Sequence, residues 1–194
     1  MPFPPSARFQ ILCAAALIVF ACSPPVRIES SPNAVAPNAV PLILGANDGE
    51  TRVRRFAGAS TEFTIKVDEQ NGGSRDFLML TEEMQPGASI PPHRHLLSDE
   101  ILFIHSGSGT VQVGDKTGTV SAGATVYIPA NTRITLRNTG SVPLAVVALF
   151  ARQGFEDYLR ETSALKGEAF VPLTPAELAV MKRHAEHHTV YEQK

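Results

Sequence analysis

The sequence predicts an all-β domain, and two observations support that prediction. Glycine and proline are frequent, at 14 and 15 of 194 residues, whereas tryptophan is absent and tyrosine occurs three times. This composition is typical of many turns between short strands rather than of a long helical bundle. Apolar residues also alternate with polar ones in short runs along the chain, as in a sandwich or a barrel.

Length, charge and cysteine content limit the protein to a few classes. A chain of 194 residues with 43% hydrophobic content has room for one ordinary domain with a real core. The formal net charge of -2 gives no basic footprint for nucleic acid, so small molecules are the expected partners. The two cysteines, Cys13 and Cys22, both lie near the N terminus and leave the domain without a disulfide framework.

The N-terminal residues resemble the signal peptide of bacterial lipoproteins. Arg8 precedes an apolar run at residues 11–21, which is too short to cross a bilayer core of ~30 Å at ~1.5 Å rise per residue. Residues 19–22 are similar to a lipobox. The resemblance implies a lipid anchor on Cys22 and, because Ser23 follows, a location at the periplasmic side of the outer membrane. A plain signal peptide that is cut elsewhere and releases a soluble periplasmic protein is the alternative.

Three segments follow the predicted signal peptide of residues 1–21. Residues 22–41 are rich in proline, serine and asparagine and predict an extended tether to the membrane. Residues 42–152 carry the strand patterns and predict the β domain. Residues 153–194 change to a helical pattern, and this C-terminal helical extension is expected to pack on the outside of the barrel or on a partner subunit.

The predicted strands follow a period of two. The clearest lies at residues 61–68, where Phe63, Ile65 and Val67 alternate with polar residues. Further strands are predicted at residues 77–81, 101–105, 110–113, 125–128, 134–138 and 144–150. In the extension, residues 155–161 predict a short helix. Thr174 before Pro175 predicts the start of a second helix that ends near His187.

The residues with the clearest chemistry lie between Gly87 and Gly107. Five residues separate Gly87 from His93, His95 follows at i+2, Glu100 comes after four more residues, and Gly107 after a further six. Two histidines at i and i+2 of an extended segment point to the same side, and a hairpin brings a carboxylate from the next strand towards them. Two imidazoles and one carboxylate can occupy one face of a divalent ion and leave its other positions open.

This spacing resembles the first signature of the cupin superfamily, and every fixed position is matched. The resemblance implies a double-stranded β-helix, which is a jelly-roll barrel. It also implies that His93, His95 and Glu100 are ligands of a divalent metal ion, namely Fe, Mn, Ni or Zn, with Glu100 as ligand or proton acceptor. Homodimers are common in the superfamily, so a homodimer is a further implied partner.

The second cupin signature is incomplete in this chain. Gly123, Pro129 and Asn138 match it, whereas Asn131 replaces a glycine and Ile134 replaces the histidine that usually supplies a fourth ligand. The inner wall opposite the histidine pair is therefore expected to be apolar. Two alternatives stay open: a three-ligand metal site, or a metal-free pocket in which the polar trio hydrogen-bonds a ligand.

The other histidines and Asp99 are weaker candidates. His105 has the strand parity opposite to that of Glu100 and is expected to face away from the site. His184 and His188 stand at i and i+4, but their charged C-terminal context and residue order do not match a zinc-protease motif. Asp99 is expected to point outwards into solvent.

The resemblance leaves the reaction open, because cupins include dioxygenases, isomerases, decarboxylases, sugar-binding regulators and storage proteins. The leading hypothesis is a metal-dependent, dioxygenase-like enzyme at the bacterial cell envelope, similar to the quercetinase-like cupins and acting on an oxygen-rich small substrate. The second is a metal-free, non-catalytic cupin that binds or senses a small molecule or carbohydrate, which Ile134 favours. A structural or assembly protein is the third.

Overall fold

The computed structural model describes residues 39–55, 62–152 and 154–192. The predicted signal peptide, Cys22 and the tether up to residue 38 lie outside these ranges. No helix among the described residues combines the length and apolar character needed to cross a membrane.

Twelve strands form two antiparallel sheets in the described part of the chain, and three short helices connect or flank them. The strands are β1 (Glu50–Arg54), β2 (Glu62–Val67), β3 (Leu78–Met84), β4 (Ser89–His95), β5 (Glu100–Ser106), β6 (Ser108–Val113), β7 (Lys116–Ser121), β8 (Thr125–Ile128), β9 (Ile134–Asn138), β10 (Leu144–Phe150), β11 (Ser163–Leu165) and β12 (Thr189–Tyr191). The helices are α1 (Glu69–Gly72), α2 (Phe155–Glu161) and α3 (Pro175–Ala185). The strand order is β11-β1-β2-β3-β10-β5-β8 in the larger sheet and β12-β4-β9-β6-β7 in the smaller one.

Alternating residues from both sheets build one hydrophobic core. On β10, the even-numbered residues from Leu144 to Phe150 are buried, whereas the residues between them are half-buried. Ile134 and Leu136 on β9 face the same core from the smaller sheet. This arrangement follows from the period-two pattern, because each strand has one apolar face to bury. The predicted all-β jelly-roll class is confirmed.

Strands β1, β4 and β7 are not among the strands predicted between residues 42 and 152, and β4 is the one that carries predicted site residues. It contains Pro91 and Pro92, which predict a turn because proline lacks a backbone N–H for the ladder. The structure nevertheless pairs β4 with β9 on one side and with β12 on the other, with a register shift between Ile90 and His93. The irregularity lets the chain pass the prolines and resume pairing at the histidines.

The C-terminal extension contributes to both sheets, which differs from the expectation that it packs only on the outside. Helices α2 and α3 form where the sequence predicts them, and α3 begins with a capping box between Thr174 and Glu177. Beyond these helices, β11 pairs with β1 and β12 pairs with β4. Strands of three residues are too short to show a period, so the sequence gives no sign of them.

Asn138 of the second signature joins the end of β9 to the end of β3 and to the turn between β9 and β10. Its side chain is fully buried, donates to the backbone oxygens of Met84 (2.8 Å) and Val142 (2.9 Å), and accepts from the amide of Gly140 (2.9 Å). We expect Asn138→Leu to lower the free energy of unfolding by about 3 kcal/mol or more, because buried polar groups lose their partners. Urea denaturation measures this loss.

The matched control for Asn138→Leu is Thr119→Ala on the exposed face of β7. That substitution touches no buried polar group, so we expect a change within about 0.5 kcal/mol. Equal unfolding midpoints for both variants would contradict the role assigned to the Asn138 side chain.

Candidate metal centre

The structure brings His93, His95 and Glu100 to one point inside a cavity of the barrel, and all three are buried. The Nε2 atoms of His93 and His95 lie 3.1 Å apart, and Nε2 of His95 lies 3.7 Å from Oε2 of Glu100. One ligand atom from each residue lies within 4.8 Å of the other two. No other cluster of three such residues occurs in the described ranges.

Strand geometry explains why these three side chains meet. His93 and His95 occupy alternate positions at the end of β4, so both point inwards, and Glu100 opens β5 on its inward face. The connecting loop is held by Asp99, whose carboxylate accepts from Tyr127 Oη (2.9 Å) and from the amide of Ala130 (2.8 Å). Both hydrogen bonds lower the pKa of Asp99, and the bond from Ala130 has the larger effect. Asp99 thus faces away from the trio, as expected, but it fixes the loop.

Hydrogen bonds at the far nitrogens orient both imidazoles. Nδ1 of His93 lies 2.8 Å from the carbonyl oxygen of Pro91, which can only accept, so this nitrogen carries the proton and Nε2 keeps its lone pair. Nδ1 of His95 lies 3.0 Å from Oγ1 of Thr189. Such outer bonds are typical of histidines that bind metal through the other nitrogen.

Burial sets the charge state of the trio. Desolvation lowers the pKa of His93 to about 4, and the hydrogen bond to Pro91 offsets part of this effect. Desolvation also lowers the pKa of His95 well below its usual value, with smaller contributions from the nearby His93 and His188. Desolvation and then the nearby Glu82 raise the pKa of Glu100 to about 8. His95 and Glu100 are therefore both neutral near pH 7 without a cation, and their 3.7 Å contact is not an ion pair.

These residues fit a divalent metal ion. Two nitrogens bound at ~2.1 Å and at a right angle around one ion lie ~3.0 Å apart, close to the 3.1 Å between the two Nε2 atoms. The buried Oε2 of Glu100 also finds no hydrogen-bond partner among the described residues. A buried carboxylate oxygen without a partner is costly, and a cation at this point removes that cost.

The cavity around the trio measures about 60 Å³, which is room for several water-sized groups beside an ion. Its walls are largely apolar, with Leu102, Ile134 and Phe150 among them. Ile134 stands directly opposite His93 in the register of β9 and β4 and is 2% exposed. The position of the missing fourth ligand is therefore apolar, as expected.

The C-terminal extension supplies a wall of the site that the sequence does not reveal. In the pairing of β12 with β4, Tyr191 lies opposite His93 and Thr189 opposite His95. The ring of Tyr191 stacks on His93 at 5.3 Å, and Phe155 of α2 contacts the edge of His95 at 4.6 Å. These contacts join residues more than 50 positions apart, so no local pattern could have identified them.

The remaining histidines do not join the trio. His105 is exposed on the outer face of β5, as expected from its parity. His184 is exposed on α3, and His188 directs its Nδ1 to Thr189 Oγ1 at 2.9 Å. His188 thus contacts the same hydroxyl that orients His95.

Thr189 gives a direct test of this orientation. We expect Thr189→Val to lower the affinity for Zn²⁺ by about 10- to 100-fold, because the hydroxyl that holds Nδ1 of His95 is lost while the shape is kept. Competition with a chromophoric chelator measures the affinity. Thr189→Ser keeps the hydroxyl and should bind as the wild type does. Equal affinities for the valine and serine variants would contradict the assignment.

Comparison with known proteins identifies part of the chain. Residues 80–150 match the family model described as "Cupin domain". A predicted oxalate decarboxylase from Thermotoga maritima is 19% identical, with a TM-score of 0.50 over 58% of this chain and 100% of that one. An RmlC-like cupin from Shewanella frigidimarina is 12% identical, with a TM-score of 0.50 over 62% and 98% of the two chains. At these identities the likeness shows the fold alone.

Two curated relatives match about half of the chain. Mannose-1-phosphate guanylyltransferase 2 of Escherichia coli O157:H7 is 30% identical over 87 residues, which are 44% of this chain and 18% of that protein. Auxin-binding protein 1 of Arabidopsis thaliana is 26% identical over 115 residues, 55% of this chain and 54% of that protein. The chain thus spans about half or less of these relatives. Residues 80–150 of this protein thus match a cupin domain, and the two-sheet fold around them is similar to that of an RmlC-like cupin.

Proposed function

We propose that this protein is a divalent-metal-dependent enzyme that acts on an oxygen-rich small molecule at the bacterial cell envelope. The observation that supports it is the convergence of three buried ligand atoms within 4.8 Å of one another in a cavity of about 60 Å³. Structural packing alone does not require two imidazoles and a carboxylate at one apolar point, because burying unpaired polar groups is costly.

The chain's residues have separate roles in this proposal. His93 and His95 hold the ion through Nε2, and Glu100 either completes the ligand set or accepts a proton from the substrate. The bound ion supplies Lewis acidity towards substrate oxygens and, with a redox-active metal, electron exchange with dioxygen. Tyr191 and Phe155 cover the histidines and exclude water, which strengthens electrostatic interactions inside the cavity.

A metal-free binding function is the second candidate, and Ile134 favours it. An isoleucine cannot coordinate a metal, and its place opposite His93 leaves the site with three protein ligands. In that case the trio hydrogen-bonds a small molecule or carbohydrate within an apolar pocket.

The proposed envelope location is supported by the sequence before the described residues. Arg8, the apolar run of residues 11–21 and Cys22 are similar to a lipoprotein signal peptide. Mass spectrometry of the cell-associated protein tests this anchor, since the proposal predicts a lipid-modified N-terminal Cys22. An unmodified N terminus at another position would support the soluble periplasmic alternative.

Oxygen consumption distinguishes the enzyme from the binding protein. The full chain is loaded with Fe²⁺, Mn²⁺, Ni²⁺ or Zn²⁺, and oxygen uptake is recorded with quercetin and with oxalate. We expect uptake that requires both substrate and a redox-active metal, that is absent with Zn²⁺, and that Glu100→Gln abolishes. Metal binding without uptake or product for either compound would contradict the oxygenase, and an absence of metal binding would support the metal-free alternative.

A further inference from the structure

The cavity contains a second polar cluster, formed by Arg54 and Glu82. Glu82 lies on the inward row of β3, between the core residues Leu80 and Met84, and is 6% exposed. Arg54 ends β1, and its Nη2 donates to Oε2 of Glu82 at 3.0 Å. Both residues line the same cavity as the trio.

Only part of the hydrogen-bonding capacity of this pair is used. Arginine and a carboxylate frequently form two parallel hydrogen bonds, whereas Arg54 and Glu82 form one. Nε of Arg54 and Oε1 of Glu82 are buried and have no hydrogen-bond partner among the described residues. A pair that served stability alone would gain by closing the second bond, because each unpaired buried group is costly.

These two unpartnered atoms belong to side chains that line the cavity, so they indicate which groups a ligand at this end would have to supply. The Nε–H of Arg54 requires an acceptor, and Oε1 of Glu82 requires a donor. A hydroxyl group satisfies both at once, whereas a carboxylate lacks the donor that Glu82 needs. The opposite charges of Arg54 and Glu82 also cancel, so the pair does not favour an anionic group.

The pair and the trio line one and the same cavity. One small molecule can therefore contact both ends of the cavity.

We propose that Arg54 and Glu82 form a second subsite that binds a hydroxyl group of a small, neutral polyhydroxylated substrate, whose other oxygens face His93, His95 and Glu100. This inference rests on the proposed function for the trio and adds the substrate class. The cavity of about 60 Å³ has room for the several substrate atoms that would contact the pair and the trio. Tyr158, which lines the cavity beside Arg54, offers a further hydroxyl to the same ligand.

The test uses dihydroxyacetone as the neutral probe and oxalate as the anionic one, each titrated against the metal-loaded full chain by ligand-detected NMR. We expect the wild type to bind dihydroxyacetone, and Glu82→Gln and Arg54→Lys to bind it about tenfold more weakly or worse. Glu83→Gln, at the next position of β3 and exposed, is the matched control and should bind as the wild type does.

Metal content, measured on the same samples, separates this inference from the proposed function. Unchanged metal with weakened dihydroxyacetone binding in Glu82→Gln supports the subsite. A wild-type protein that holds no metal counts against the proposed function. If that metal-free protein still binds dihydroxyacetone, and Glu82→Gln weakens the binding, the result supports the subsite. Equal binding by wild type, Glu82→Gln and Glu83→Gln, no binding to the wild type, or binding of oxalate alone would overturn it. Because Glu82→Gln keeps the side-chain shape, the test stands even if Arg54→Lys misfolds.

Discussion

Replacing His93 or His95 by alanine is expected to lower the affinity for Zn²⁺ and Mn²⁺ by at least about 100-fold. Loss of an outer-shell partner typically costs 10- to 100-fold, and loss of a ligand atom itself should cost no less. Each variant leaves one imidazole and one carboxylate at a buried point where the wild type has three ligand atoms within 4.8 Å. Chelator competition gives the affinities, and elemental analysis gives the bound metal.

His105→Ala is the control for both variants. It removes a histidine from the same β5 strand that carries Glu100, but on the exposed outer face. We expect its metal affinity to equal that of the wild type, and circular dichroism confirms that each variant folds. A comparable loss in His105→Ala, or none in folded His93→Ala and His95→Ala, would mean that metal binds elsewhere.

Restoring the missing ligand is expected to act in the opposite direction. Ile134→His places an imidazole opposite His93, inside the cavity and next to the trio, and should raise the affinity for Zn²⁺ by about 10- to 100-fold. The gain is limited because the free protein must bury one more polar ring. The same chelator competition measures it.

Ile134→Val controls for the change in packing at this position. It keeps the wall apolar, is expected to cost about 1 kcal/mol of unfolding free energy, and should leave metal affinity unchanged. An Ile134→His protein that folds but binds metal no more tightly than the wild type would contradict the assigned geometry.

The strands and the helix that have one buried face and one solvent-exposed face were predictable from the sequence. Strands β8, β9 and β10 and helix α2 have the predicted bounds, because their local pattern and their final environment agree. The trio was predicted from its resemblance to the first cupin signature, and the i, i+2 spacing of His93 and His95 in an extended segment explains why both point to one side.

The wall contributed by the C-terminal extension was not predictable. Thr189 and Tyr191 reach the histidines only because β12 pairs with β4, and three residues carry too little periodicity to indicate a strand. Strand β4 was hidden by Pro91 and Pro92, whose pairing depends on neighbours far along the chain. Glu82 was detectable in part, because it continues the buried alternation of β3, but its partner Arg54 lies on another strand.

The metal content of the full wild-type chain, purified without chelators and titrated with Fe²⁺, Mn²⁺, Ni²⁺ and Zn²⁺, is the decisive test of the metal centre. We expect one divalent ion per chain, whose binding displaces the proton of the Glu100 carboxyl. A folded chain that holds no ion after purification and takes up none on titration would contradict it.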